Sequence, residues 1–128
     1  MLSEKKILIV DDSAAMRGQI RDVLASAGFD SVEAADGLEG LHAISARNDL
    51  AAVVCDINMP RMNGLQMLEF VRTKGKLATL PVIVLTTEGQ FRLVEQAKKA
   101  GARGWVVKPF KAEVLIAAVH KVTDALTS

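Results

Sequence analysis

Ile7-Leu8-Ile9-Val10 runs straight into Asp11-Asp12-Ser13. Four apolar residues in a row, without polar alternation, fit a strand buried on both faces, as in a parallel sheet. The form returns as Leu50-Ala51-Ala52-Val53-Val54-Cys55 before Asp56, Val82-Ile83-Val84-Leu85 before Thr86-Thr87, and Trp105-Val106-Val107 before Lys108-Pro109. Ser31-Val32-Glu33-Ala34-Ala35 is more polar and suits an edge strand.

Helical patterns fill the intervals. Met16, Ile20, Val23, Leu24 and Ala27 recur at one-face spacing, and Gly28 follows as a stop. Leu38, Leu41, Ala43 and Ile44 mark a helix after Asp36, and Leu65, Leu68 and Val71 mark another after Asn63-Gly64. Leu93, Val94, Ala97 and Ala100 mark a fourth, stopped by Gly101, and Leu115, Val119, Val122 and Leu126 mark a fifth. Strand then helix, repeated along the chain, predicts an α/β fold with a parallel sheet.

The 128 residues fit one domain, read as 1–128 with no output domain, and 50% of them are apolar. Lys and Arg (16) nearly balance Asp and Glu (15), so bulk charge does not favour nucleic acid or an anionic membrane. One cysteine, Cys55, excludes an intrachain disulfide framework and a multi-cysteine metal site; beside Asp56 it reads as a small buried hydrophobe. No apolar stretch is long enough for a membrane span or a secretory signal, which predicts a cytoplasmic protein.

In an open α/β sheet, ligands bind beyond the carboxyl ends of the strands. Asp11, Asp12, Asp56, Thr86 and Lys108 would meet there. Each has an ordinary explanation alone: Asp11-Asp12-Ser13 could cap a helix, Thr86 could be a satisfied hydroxyl and Lys108 a solvated charge. Together they imply more. Two carboxylates about 5 Å apart repel by about 3 kcal/mol at an effective dielectric of 20, so three call for a bound cation. An all-oxygen donor set favours Mg²⁺. A carboxylate nucleophile, a metal, an ammonium and a hydroxyl suit phosphoryl transfer.

Val10-Asp11-Asp12-Ser13, Cys55-Asp56-Ile57-Asn58-Met59-Pro60, Asn63-Gly64, Leu85-Thr86-Thr87 and Val107-Lys108-Pro109-Phe110 follow one another in this order. In that order and spacing the chain resembles the receiver domain of two-component response regulators, most closely the single-domain, CheY-like chemotaxis regulators. The resemblance implies a flavodoxin-like (βα)5 doubly wound fold, its five-stranded parallel sheet in the order 2-1-3-4-5. It implies Asp56 as phosphoacceptor, with Mg²⁺ held by Asp12, Asp56 and the main-chain carbonyl of Asn58, and Asp11 assisting through water. Lys108 would pair with Asp56 and contact the phosphoryl oxygens, and Thr86 would bond the attached group. The Lys108-Pro109 peptide would be cis. Asn58 and Glu88 would tune the phosphoryl lifetime toward a short-lived signal. Trp105 stands where the family usually has Tyr or Phe, a ring thought to swing inward with Thr86; an indole is bulkier and offers only an N–H donor. Gly89 would be a hinge.

The implied partners are a histidine kinase or a histidine phosphotransfer protein, and a downstream target on the helix 4, strand 5 and helix 5 face. The implied state is a monomer or a weak phosphorylation-dependent dimer. The implied activity is a signalling switch with self-phosphorylation and autodephosphorylation only, possible roles being target binding in chemotaxis or motility, phosphate relay and phosphate drainage. Rival readings fit less well. A haloacid-dehalogenase-type phosphohydrolase needs a second Asp where Asn58 stands, and an FMN carrier needs a phosphate loop where Asp11-Asp12 would repel one. No GxxxxGK[ST] loop serves a nucleotide.

Overall fold

The computed structural model describes residues 5–57, 62–74, 80–87 and 89–127, with side chains to 123. Five strands alternate with five helices. They are β1 Lys6–Val10, α1 Ala14–Ser26, β2 Asp30–Ala34, α2 Gly37–Ala46, β3 Leu50–Asp56, α3 Gly64–Thr73, β4 Val82–Thr87, α4 Phe91–Lys99, β5 Gly104–Lys108 and α5 Ala112–Thr127. The strands form one parallel sheet in the order β2-β1-β3-β4-β5. The element order and the sheet order are those expected from the chain.

The period of two divides β1, β3 and β4 between two cores. Leu8, Val10, Val53, Cys55, Val82 and Val84 face one way and pack with residues of α2, α3 and α4. Ile7, Ile9, Ala52, Val54, Ile83, Leu85 and Val106 face the other and pack with residues of α1 and α5. Because helices cover both sides of β1, β3 and β4, these strands read as unbroken apolar runs.

β5 departs from the expectation of burial on both faces. Val106 is buried, but Trp105 and Val107 are 45% and 43% exposed. The strand order places β5 at an edge, and only its Val106 side joins a core. Leu38 is likewise exposed rather than part of the buried face of α2, which is built on Gly37, Gly40 and Ile44. The Leu126 side chain lies outside the described residues.

The helix ends follow local chemistry. Ser13 caps α1 by accepting from the Met16 N–H, and Asp36 caps α2 by accepting from the Glu39 N–H. Asn63 and Gln66 form a reciprocal capping box at α3. Gly28 and Gly101 have φ of +88° and +107° just past α1 and α4, the left-handed turn that ends a helix most cheaply at glycine.

Candidate phosphorylation and metal site

The polar groups gather at the carboxyl ends of β1, β3, β4 and β5. Asp11 directly follows β1, Asp56 ends β3, Thr86 and Thr87 end β4, and Lys108 ends β5. The last three strands thus run slightly further than their apolar runs, because the ladder continues through these polar residues: Asp56 is in register with Leu85, Thr86 with Val107 and Thr87 with Lys108. The Asp11 N–H also donates to the Ala34 carbonyl at 3.1 Å, extending the ladder one residue.

Asp11, Asp12 and Asp56 each offer a carboxylate oxygen, all within 4.8 Å of one another. Asp11 and Asp56 are buried, at 1% and 8% exposure, while Asp12 is open to solvent. At such spacing each pair repels by about 3 kcal/mol at an effective dielectric of 20. The Lys108 ammonium answers part of this charge, with Nζ 3.1 Å from Asp11 Oδ2 and 3.4 Å from Asp56 Oδ2. Among the described residues, Lys108 is the cation paired with these carboxylates, and a single ammonium does not balance three of them. Their hard oxygen donors fit a small divalent cation and would suit a soft metal poorly.

Asp11 differs from its neighbour. Its Oδ1 accepts from the Ser13 N–H at 2.9 Å, and its Oδ2 faces Lys108. Among the described residues, no hydrogen bond or ion pair engages the Asp12 carboxylate. The capping explanation is therefore correct for Ser13, and it coexists with an acidic cluster built from the two residues before it.

Several supports were not foreseen in the sequence. Arg17 Nη1 donates to the Asp11 carbonyl at 2.7 Å while its Nε donates to Glu33, tying the acidic turn to α1 and β2. Its position four residues after the cap Ser13 was the available signal. Gln90 Oε1 accepts from Thr86 Oγ1 at 2.6 Å and from the Thr87 N–H at 2.8 Å. Gly64 explains the Asn63-Gly64 pair: a β carbon there would lie 2.7 Å from the Asp56 carbonyl oxygen and 2.9 Å from Ile57 Cα. Only glycine lets the start of α3 lie so close behind Asp56.

Thr86 is almost fully buried, at 1% exposure. Trp105 is turned outward, with Lys98 Nζ 4.8 Å from its ring centroid. The Lys108–Pro109 peptide is cis, and Gly89 has a φ of +89°. Asn58 and Glu88 lie outside the described residues. Burial, reinforced by the Asp56 and Asp11 charges, pushes the Cys55 thiol far above its ordinary range. Burial thus favours the protonated thiol, in keeping with its reading as a small buried hydrophobe.

Among the described residues no helix is long and apolar enough to cross a membrane. A family model described as the response regulator receiver domain matches residues 7–120. A chemotaxis protein CheY homolog of Campylobacter jejuni is 41% identical over 122 residues, covering 94% of this chain and 92% of that protein. The solved structure of the chemotaxis protein CheY4 of Vibrio cholerae is 37% identical, with a TM-score of 0.81 over 92% of this chain and 98% of that one. A response regulator receiver domain protein of Clostridium thermocellum is 27% identical, with a TM-score of 0.88 over 96% of this chain and 97% of that one. Sequence, sheet order and an acidic cluster at the strand ends agree, and the chain belongs to the response regulator receiver domains, the signalling switches of two-component systems.

Proposed function

We propose that this chain accepts a phosphoryl group from a histidine kinase or a histidine phosphotransfer protein onto Asp56. The observation that carries this reading is the Asp56 carboxylate held between Lys108, 3.4 Å away, and the Asp11–Asp12 pair. In the transfer, an Asp56 carboxylate oxygen attacks phosphorus and forms an acyl phosphate. The phosphorus–nitrogen bond of the donor phosphohistidine breaks, and its electron pair stays on the imidazole nitrogen.

Asp12 and Asp56 would hold Mg²⁺ directly, and the Asn58 main-chain carbonyl would add a third oxygen. Asp11 would act through water, in keeping with both of its carboxylate oxygens being engaged already. Bound Mg²⁺ supplies charge neutralisation for the incoming phosphoryl group. Lys108 would meet the same developing charge from the other side, and Thr86 would bond the attached group. Asn58 and Glu88 would set the lifetime of the acyl phosphate, giving a short-lived signal.

The output follows from the edge of the sheet. Phe91 on α4, Trp105 and Val107 on β5 and Val114 on α5 are all exposed apolar side chains. That face is the proposed dock for a downstream protein, and the names of the relatives favour a target in chemotaxis. Hydrogen bonds to a charged group contribute about 1.5–3 kcal/mol each, so Thr86 and Lys108 together supply a few kcal/mol. A full shift from 1:99 to 99:1 needs about 5.5 kcal/mol, and target binding would complete it. Inward movement of Trp105 would accompany the shift.

Intact-mass analysis tests the reading. With acetyl phosphate and Mg²⁺ the chain is expected to gain one phosphoryl group, and with a chelator in place of Mg²⁺ to gain almost none. A chain that stays unmodified under both conditions contradicts it.

A further inference from the structure

Gln90 precedes the first residue of α4 but does not cap that helix. Its side chain turns back to the end of β4, where one oxygen accepts from both Thr86 Oγ1, at 2.6 Å, and the Thr87 N–H, at 2.8 Å. The backbone donor fixes this atom as the amide oxygen, since an amide nitrogen cannot accept. The Thr86 hydroxyl must then be the donor in the shorter contact. Its other acceptor, the Thr87 carbonyl at 3.3 Å, is more distant.

A hydroxyl has a single proton. Thr86 can give it to Gln90 or to a phosphoryl oxygen on Asp56, but not to both at full strength. We infer that Gln90 is a positioning residue that withholds the Thr86 hydroxyl from the phosphorylation site until a phosphoryl oxygen takes its proton. This rests on the reading of Asp56 as the phosphoacceptor and extends it to the resting state. Release breaks the side-chain tie between the start of α4 and the carboxyl end of β4. Phe91, the next residue, is 81% exposed and moves with that turn. Gly89 on the other side has a φ of +89°, a conformation that suits a pivot.

The inference predicts that removing the competing acceptor favours the phosphorylated-like state. Beryllofluoride with Mg²⁺ serves as the phosphoryl mimic, and calorimetry gives its dissociation constant. Gln90→Met keeps the length of the side chain without the acceptor, and Gln90→Ala removes both. Each is expected to bind beryllofluoride about three- to tenfold more tightly than wild type, the equivalent of one hydrogen bond. In a Thr86→Ala background, Gln90→Met is expected to change nothing, because no proton remains to compete for. A purely structural role would not vanish with the threonine methyl and hydroxyl in this way. Unchanged or weaker binding by folded Gln90→Met and Gln90→Ala proteins overturns the inference, as does a gain that persists without Thr86. Failure of wild type itself to bind beryllofluoride overturns the Asp56 reading beneath it.

Discussion

Asp56→Asn is expected to abolish phosphoryl uptake while leaving the fold intact. The amide matches the carboxylate in shape but offers no anionic oxygen to attack phosphorus, so no acyl phosphate forms. Asp11 is not a ready substitute, because its oxygens are engaged by the Ser13 N–H and by Lys108. Stability should move the other way. Removing the Asp56 charge eliminates two repulsions of about 3 kcal/mol each and one attraction to Lys108 of about 5 kcal/mol, at an effective dielectric of 20. The variant should therefore be as stable as wild type, or about 1 kcal/mol more stable, in metal-free buffer. Intact mass with acetyl phosphate and Mg²⁺ checks the first claim, and urea unfolding with a chelator checks the second. Phosphoryl uptake at wild-type level would remove Asp56 from its proposed role.

Lys108→Met carries the second large effect, and here both readouts fall. The ammonium reaches Asp11 and Asp56 together and offsets charge on two buried carboxylates. Methionine keeps the apolar stem but removes this positive charge from both carboxylates. Breaking a buried ion pair from one side costs about 3–5 kcal/mol. Lys108 keeps 17% of its side-chain exposure, so the low end, about 3 kcal/mol, is expected in metal-free buffer. Mg²⁺ should restore part of this, since a divalent ion can replace the lost positive charge. The initial rate of uptake from acetyl phosphate should drop by about two to three orders of magnitude, the usual effect of deleting one preorganised charge-stabilising donor. A Lys108→Met protein as stable and as quickly modified as wild type would show that the ammonium is a bystander.

The fold was legible because helices cover both faces of the central strands, and such strands must be apolar throughout. The same rule misled at β5. Trp105-Val106-Val107 looks like the other runs, yet the position of β5 at the sheet edge leaves Trp105 and Val107 exposed. Composition alone cannot distinguish an apolar side chain that packs from one held out for a partner. The acidic cluster was legible because strand ends fix where Asp11, Asp12, Asp56 and Lys108 must meet. Gln90 and Arg17 were not, since a long side chain can turn either way from a helix start. Only the geometry reveals that both turn toward the site. Gly64 lies between these cases: its place after Asn63 was plain, but the need for glycine comes from the backbone of Asp56 directly behind it.

The central claim is that three carboxylates at the strand ends hold one divalent ion. Calorimetric titration of metal-free protein with Mg²⁺ tests it most directly, on wild type, Asp12→Asn and Asp56→Asn. The account predicts a single site per chain in wild type, greatly weakened by each substitution. Wild-type protein that takes up no Mg²⁺, or a site that both substitutions leave unchanged, would contradict it.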